Sequence, residues 1–131
     1  MNVIRDMWIV NEAGVVLFDR VHDMTVDSQL FGSLLSAIHA FAEELDQGGL
    51  NSFSLRHKKF VILKEYNCLF IASSAPKFRE KQVSRELKAI ADKFFRTFPP
   101  KMIENWDGDV RIFKKFEGQI KNHLDEFLLL L

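Results

Sequence analysis

The apolar positions of this chain change period along its length, and each change marks an element. Residues 7–10 and 15–18 are apolar runs separated by Asn11-Glu12-Ala13-Gly14. Asn hydrogen-bonds its own turn and Gly takes positive φ without a Cβ clash, so this stretch predicts a β-hairpin. Residues 20–25 read as a loop. Thr25 or Asp27 can then cap a helix by accepting a hydrogen bond from an orphan N–H. Leu30, Phe31, Leu34, Leu35, Ile38, Phe41, Ala42 and Leu45 follow, and at about 100° per residue they fill one arc of roughly 140°. Gly32, Ser33, Ser36, His39, Ala40, Glu43 and Glu44 lie outside that arc. A helix over about 27–46 that buries this arc is the expectation, with Gly48-Gly49 as its stop.

Residues 51–55, 59–64 and 67–73 predict three short strands, with turns near 56–58 and 65–67. Phe60-Val61-Ile62-Leu63 and Cys68-Leu69-Phe70-Ile71-Ala72 are unbroken apolar runs, the mark of strands covered on both faces. The polar stretch 51–55 suits a sheet edge. A second helix is expected over about 80–97, with Val83, Leu87, Ile90, Ala91, Phe94, Phe95 and Phe98 on one side. Pro99-Pro100 ends it. A short segment with Met102, Ile103 and Trp106 precedes a third helix, capped by Asp107 or Asp109. Its stripe is Val110, Phe113, Phe116, Ile120, Leu124 and Phe127. The order β-β-α-β-β-β-α-α predicts an α/β (α+β) three-layer sandwich. A five-stranded, mainly antiparallel sheet carries one helix on one face and two on the other.

Composition fits that picture. The 131 residues suit a single domain, with a core over about 3–125 and a tail over 126–131. Hydrophobic residues make up 47% and charged residues 27%, as in ordinary globular proteins, and thirteen Phe against one Tyr favour buried aromatics. The formal net charge is zero, but it is unevenly spread. Residues 1–55 carry two basic and eight acidic side chains, whereas 56–101 carry twelve basic and four acidic. The basic block reads first as a solvated helix face with interspersed acids, and second as a patch for anionic lipid or an acidic protein. Exposed aromatics for stacking are not evident, which argues against nucleic acid. No stretch has the length of a membrane span or the form of a signal peptide, and the single Cys68 fits a reducing compartment. A cytoplasmic protein, peripheral to membranes through partners, is expected.

Candidate chemistry is thin. His22, His39, His57 and His123 have no metal-ligand spacing and read as surface residues, with His22-Asp23 the nearest approach to an acid–base pair. Cys68 in an apolar strand reads as core. Ser73-Ser74 lacks a nucleophile-elbow context, and Asp107-Gly108-Asp109 reads as a turn and cap rather than a calcium loop. No catalytic, cofactor-binding or metal-binding residue is expected. The run 128–131 either packs into a neighbour's groove or frays.

The element order, opened by WIVNEAGVVLFDR and continued by FVILKEYNCLFIAS and VSRELKAIADKFFRTF, resembles that of a longin domain over about residues 3–125. The related roadblock fold starts with a helix before its first strand, and no such helix is predicted here. The resemblance implies a non-enzymatic interaction module of a trafficking-type complex. It would bind a small Ras-like GTPase or another longin or roadblock domain, with a homodimer also open. Neither a heptad helix nor a terminal lipidation cysteine is seen, so a stand-alone longin protein is expected. The expected contact residues are Leu30 and Leu35 of the first helix, which read first as ordinary core and second as contacts, and Ser52, Phe53, Ser54, Leu55, Arg56 and Lys58 at the edge strand, where strand addition can extend a sheet. The groove between that helix and strand is a second candidate. Two alternatives remain: a roadblock-like homodimeric GTPase regulator, and a small ligand-binding domain of profilin or PAS-like shape.

Overall fold

The computed structural model describes residues 3–22 and 25–123. Five strands form one sheet: β1 (Asp6–Val10), β2 (Val16–Arg20), β3 (Ser52–Ser54), β4 (Lys59–Glu65) and β5 (Cys68–Ser74), in the order β2-β1-β5-β4-β3. All neighbours pair antiparallel, and β1 closes the sheet centrally by pairing with β5 from Asp6↔Ser73 to Val10↔Leu69. The β1–β2 hairpin has the expected turn. Asn11 Oδ1 accepts the N–H groups of Ala13 and Val15, and Gly14 has a φ of +85°. The short β3 is an edge strand, as its polar sequence predicts.

Period-two alternation divides the central strands between two cores. Met7 and Ile9 of β1, Val61 of β4, and Cys68, Phe70 and Ala72 of β5 face one helical layer. Trp8, Val10, Phe60, Ile62, Leu69 and Ile71 face the other. Helix α2 (Glu80–Thr97) covers the first face along β4 and β5, burying Val83, Leu87, Ile90, Ala91 and Phe94. The proline pair both ends α2 and starts a short helix, α3 (Pro100–Glu104), since Pro is well placed in a first helical turn.

The segment expected to be the third α-helix is a 3-10 helix, Val110–Gln119, capped by Asp109 and followed by a second short one, Lys121–His123. The reason lies in its spacing. Val110, Phe113 and Phe116 recur every three residues, which aligns them at three residues per turn and would stagger them by about 60° per step on an α-helix. Phe113 and Phe116 are thereby stacked into an aromatic cluster with Phe94 and Phe98. Leu124, Phe127 and the run 128–131 lie outside the described residues.

The other face carries a single helix, α1 (Ser28–Leu45), with Asp27 as its N-cap. It confirms the three-layer arrangement but departs from the expected burial. Only Gly32, Leu35 and His39 of α1 are buried. Leu30 is 68% exposed, Phe41 67% and Leu45 75%, and Leu34 and Ile38 are also open to solvent. The predicted arc meets the sheet along one edge, through Phe31, Leu35 and Ala42, and its other half faces outward. Gly32 accounts for the rotation. A Cβ there would stand 2.4 Å from Val16 Cγ2, so only glycine lets the helix settle onto the hairpin along this line.

Candidate interaction surface

The outward side of α1 is built from the half-arc that the sheet leaves uncovered. Leu30, Leu34, Ile38, Phe41 and Leu45 project from it, with the exposed Ser33, Ala37 and Ala40 beside them. No charged residue occurs on α1 before Glu43. Beneath the helix the support is aromatic. Trp8 lies 4.4 Å from Phe31 between ring centroids, and Phe60 bridges Phe31 to Phe53, on which it stacks at 4.6 Å. At the start of α1 this support opens into a cavity of about 190 Å³, lined mainly by Trp8, Val21, Val26, Phe31, Leu55 and Phe60, with Lys58 at its rim. Val26 and Leu55 are themselves largely exposed.

The residues expected to make contact are mostly brought together here. Leu30 stands on the outward helix face. Leu55 and Lys58 close the same cavity that Val26 and Phe31 enter. Ser52, Phe53 and Ser54 form the β3 edge, and Arg56 lies exposed in the turn beyond it. Leu35 does not belong to this surface. It is 3% exposed and packs under α1 with Trp8, Val10 and Ile71, because the rotation at Gly32 turns it to the sheet. The sequence reading missed Leu34, Ile38, Phe41 and Leu45 as surface residues. Glycine at a position on the polar side of the arc was the available signal.

The buried histidines and Asp6 join neighbouring elements. His39 and His123 are buried rather than at the surface. Each is held by a neighbouring element that the sequence alone does not place beside it: His39 Nδ1 accepts the Leu50 N–H at 3.3 Å, and His123 meets Glu86 and Lys93 of α2. Asp23 is outside the described residues, and His22 pairs with Asp6, its Nδ1 at 3.2 Å. Asp6 also accepts the Ser73 hydroxyl at 2.8 Å and the His22 backbone N–H at 2.8 Å. The three residue types of a hydrolytic triad are present, but the serine donates to the aspartate and not to the histidine, so no base activates it. The cluster ties β1, β5 and the end of the hairpin together.

Burial pushes the Cys68 thiol up to about 11, with the charge of Glu12 adding to it, which makes the thiol inert. Hydrogen bonding to Lys64 holds the Glu43 carboxyl below its ordinary range. Lys88 is raised by hydrogen bonds to Glu65 and Asp92, so part of the basic block is paired. Asp109 is lowered by its hydrogen bonds to Arg111, in keeping with a turn and cap at 107–109. Among the described residues no cluster of His, Cys, Asp or Glu could hold a metal ion, and no helix is long and apolar enough to cross a membrane.

The family model for the first longin domain of FUZ, MON1 and HPS1 matches residues 5–103. The chain belongs to this longin family. The match spans all five strands, α1, α2 and most of α3. No curated protein sequence matches it significantly. Solved structures share the longin and roadblock fold at very low identity. Myxococcus xanthus MglB is 10% identical with a TM-score of 0.59, covering 72% of this chain and 85% of that one. The mammalian SRP receptor is 9% identical at a TM-score of 0.51, covering 94% and 96%. The roadblock/LC7 domain from Streptomyces avermitilis is 8% identical at 0.51, covering 70% and 85%. At these identities the likeness is one of fold.

Proposed function

We propose that this longin domain is a non-enzymatic interaction module of a trafficking complex, and that the outward face of α1 and the adjoining β3 edge receive a second longin or roadblock domain. The pair so formed serves a small Ras-like GTPase. One observation carries the reading: five large apolar side chains are aligned and uncovered on a well-capped, amphipathic helix. An apolar patch of that kind on a folded domain marks a contact site. Burying each such side chain contributes about 1.5–3 kcal/mol. Leu30 and Leu55 supply apolar contact, Ser52, Phe53 and Ser54 offer an unpaired strand edge, and Arg56 and Lys58 form a charged rim. The cavity beside this face is lined mainly by apolar side chains, which suits a protein contact better than a polar small ligand.

Affinity capture from the source cells with the wild-type chain and with Phe41→Asp in parallel tests the reading. The wild type is expected to retain a longin or roadblock protein, or a Ras-like GTPase, that the variant loses. Capture of the same proteins by both chains contradicts it.

A further inference from the structure

We propose that the end of the sheet where the β1–β2 and β4–β5 turns lie carries a second docking site. It takes a proline-rich segment of a partner protein in polyproline II conformation, with a basic residue beside the prolines. No residue of α1 takes part. The first observation is Tyr66. β4 and β5 are joined by Tyr66 and Asn67 alone, with φ of +48° and +62°. Positive φ at both positions makes a type I′ turn, which favours Asn, Asp or Gly. Asn67 fits that rule and Tyr66 breaks it. A bulky side chain in the left-handed region is strained, and such strain collects at functional sites. Little is recovered inside the fold: Tyr66 is 68% exposed, with its ring edge-on to Phe95 at 5.0 Å between centroids. This contact fixes the ring and leaves most of it open, as a rigid aromatic anchor for a partner.

Tyr66 and Pro100 line two neighbouring recesses and form the ridge between them. The larger, of about 300 Å³, also holds Phe95, Arg96 and Lys88, which pairs with Glu65 and Asp92. The smaller, of about 200 Å³, also holds Asn67, Ile103, Glu12 and Glu104. Polyproline II has three residues per turn and rises about 3.1 Å per residue, so prolines three apart project from one side, roughly 9 Å from each other. Such a pair straddles a ridge, with one ring in each recess and Tyr66 packed between them. The segment arrives preformed, so little conformational entropy is lost on docking. A helix offers a continuous apolar stripe instead, which a ridge interrupts. Strand addition has nothing to pair with, since this end of the sheet presents turns rather than a strand edge. Charge sets the direction. In the larger recess Lys88 and Arg96 offset Glu65 and Asp92. Glu12 and Glu104 leave the smaller one acidic: both are exposed, and neither has an ion-pair partner among the described residues. An arginine or lysine of the segment therefore belongs over the smaller recess.

An array of fluorescein-labelled peptides, read by anisotropy, tests this on the full chain. Each peptide carries two prolines three residues apart, with arginine, glutamate or alanine at either flank and the remaining positions varied. The wild type is expected to bind peptides with arginine at one flank saturably, and to lose them when either proline becomes alanine. Tyr66→Asn should bind at least about tenfold more weakly. It should melt no lower than the wild type, because Asn accepts positive φ. Glu12→Lys with Glu104→Lys should move the preference from arginine to glutamate, a switch that misfolding does not produce. Phe41→Asp should bind as the wild type does, which keeps this site apart from the proposed α1 contact. The inference is overturned by the absence of saturable binding to any peptide, or by equal binding of the versions without prolines. It is also overturned by binding that Tyr66→Asn leaves intact, or by a wild-type preference for glutamate. Self-association of the wild type that Tyr66→Asn abolishes would give the recesses to a second copy and overturn it too.

Discussion

His39 Nδ1 accepts the backbone N–H of Leu50 at 3.3 Å, joining the last turns of α1 to the chain that enters β3. An acceptor at Nδ1 places the proton of the neutral ring on Nε2, which lies 3.7 Å from Glu43 Oε2. The bond matters because it couples the two halves of the proposed surface. Gly49 packs against the same ring: a Cβ there would stand 2.7 Å from His39 Cε1, and its φ is +67°. Replacing His39 with Phe keeps an aromatic ring but leaves the Leu50 N–H without its acceptor. The expected loss is about 1–3 kcal/mol in urea unfolding, with faster amide exchange at Leu50 than in α2. Unchanged stability and exchange would show that the bond does not hold β3 to α1.

Gly32 sets the rotation of α1, and that rotation is what exposes the stripe. Gly32→Ala forces a methyl group onto Val16 and Val10. Destabilisation of about 1–3 kcal/mol is expected, despite the higher helix propensity of Ala. Val16→Ala in the same chain should recover part of it, so the double variant falls short of the sum of the singles. Strict additivity would mean that the helix does not rest on Val16.

The hairpin, the edge strand, α2 and the three-layer order were legible in the sequence because they follow from local rules: Asn11 and Gly14 make a turn, apolar runs make covered strands, and Pro99-Pro100 stops a helix. What was not legible depends on residues far apart in the chain. Asp6 reaches Ser73 across 67 residues, and Gly32 reads as an ordinary polar-side residue until Val10 and Val16 are seen beneath it. Periodicity shows that an apolar arc exists on α1 but not which edge of it meets the sheet. The candidate contact residues therefore include Leu35, which the structure buries, and omit Phe41, which it exposes. The three-residue spacing of Val110, Phe113 and Phe116 was visible, and it distinguishes the 3-10 helix from the α-helix that was expected.

Cys68 links the core to pH. Its thiol ionises near 9.0 when exposed and near 11 when folded. The folded state therefore holds its proton longer, and this contribution is complete below pH 9 and lost as pH rises from 9 to 11. The difference in unfolding free energy between the wild type and Cys68→Ala should shift against the wild type by up to about 1.4 kcal/mol per pH unit across that window. Below pH 9 the difference should be constant. A flat difference throughout would mean that the thiol is not buried. The same burial predicts that iodoacetamide labels Cys68 only after denaturation.

On the proposed function, the outward face of α1 is covered by protein when the domain works. The most direct measurement is maleimide labelling of Leu34→Cys, on the stripe, and Lys81→Cys, on the exposed side of α2, in the source cells and in the isolated, diluted chain. Labelling at position 34 should be slower in cells by roughly tenfold or more, equivalent to about 1.4 kcal/mol of occlusion, with position 81 unchanged. Equal slowing at the two positions, or none at position 34, would contradict the claim.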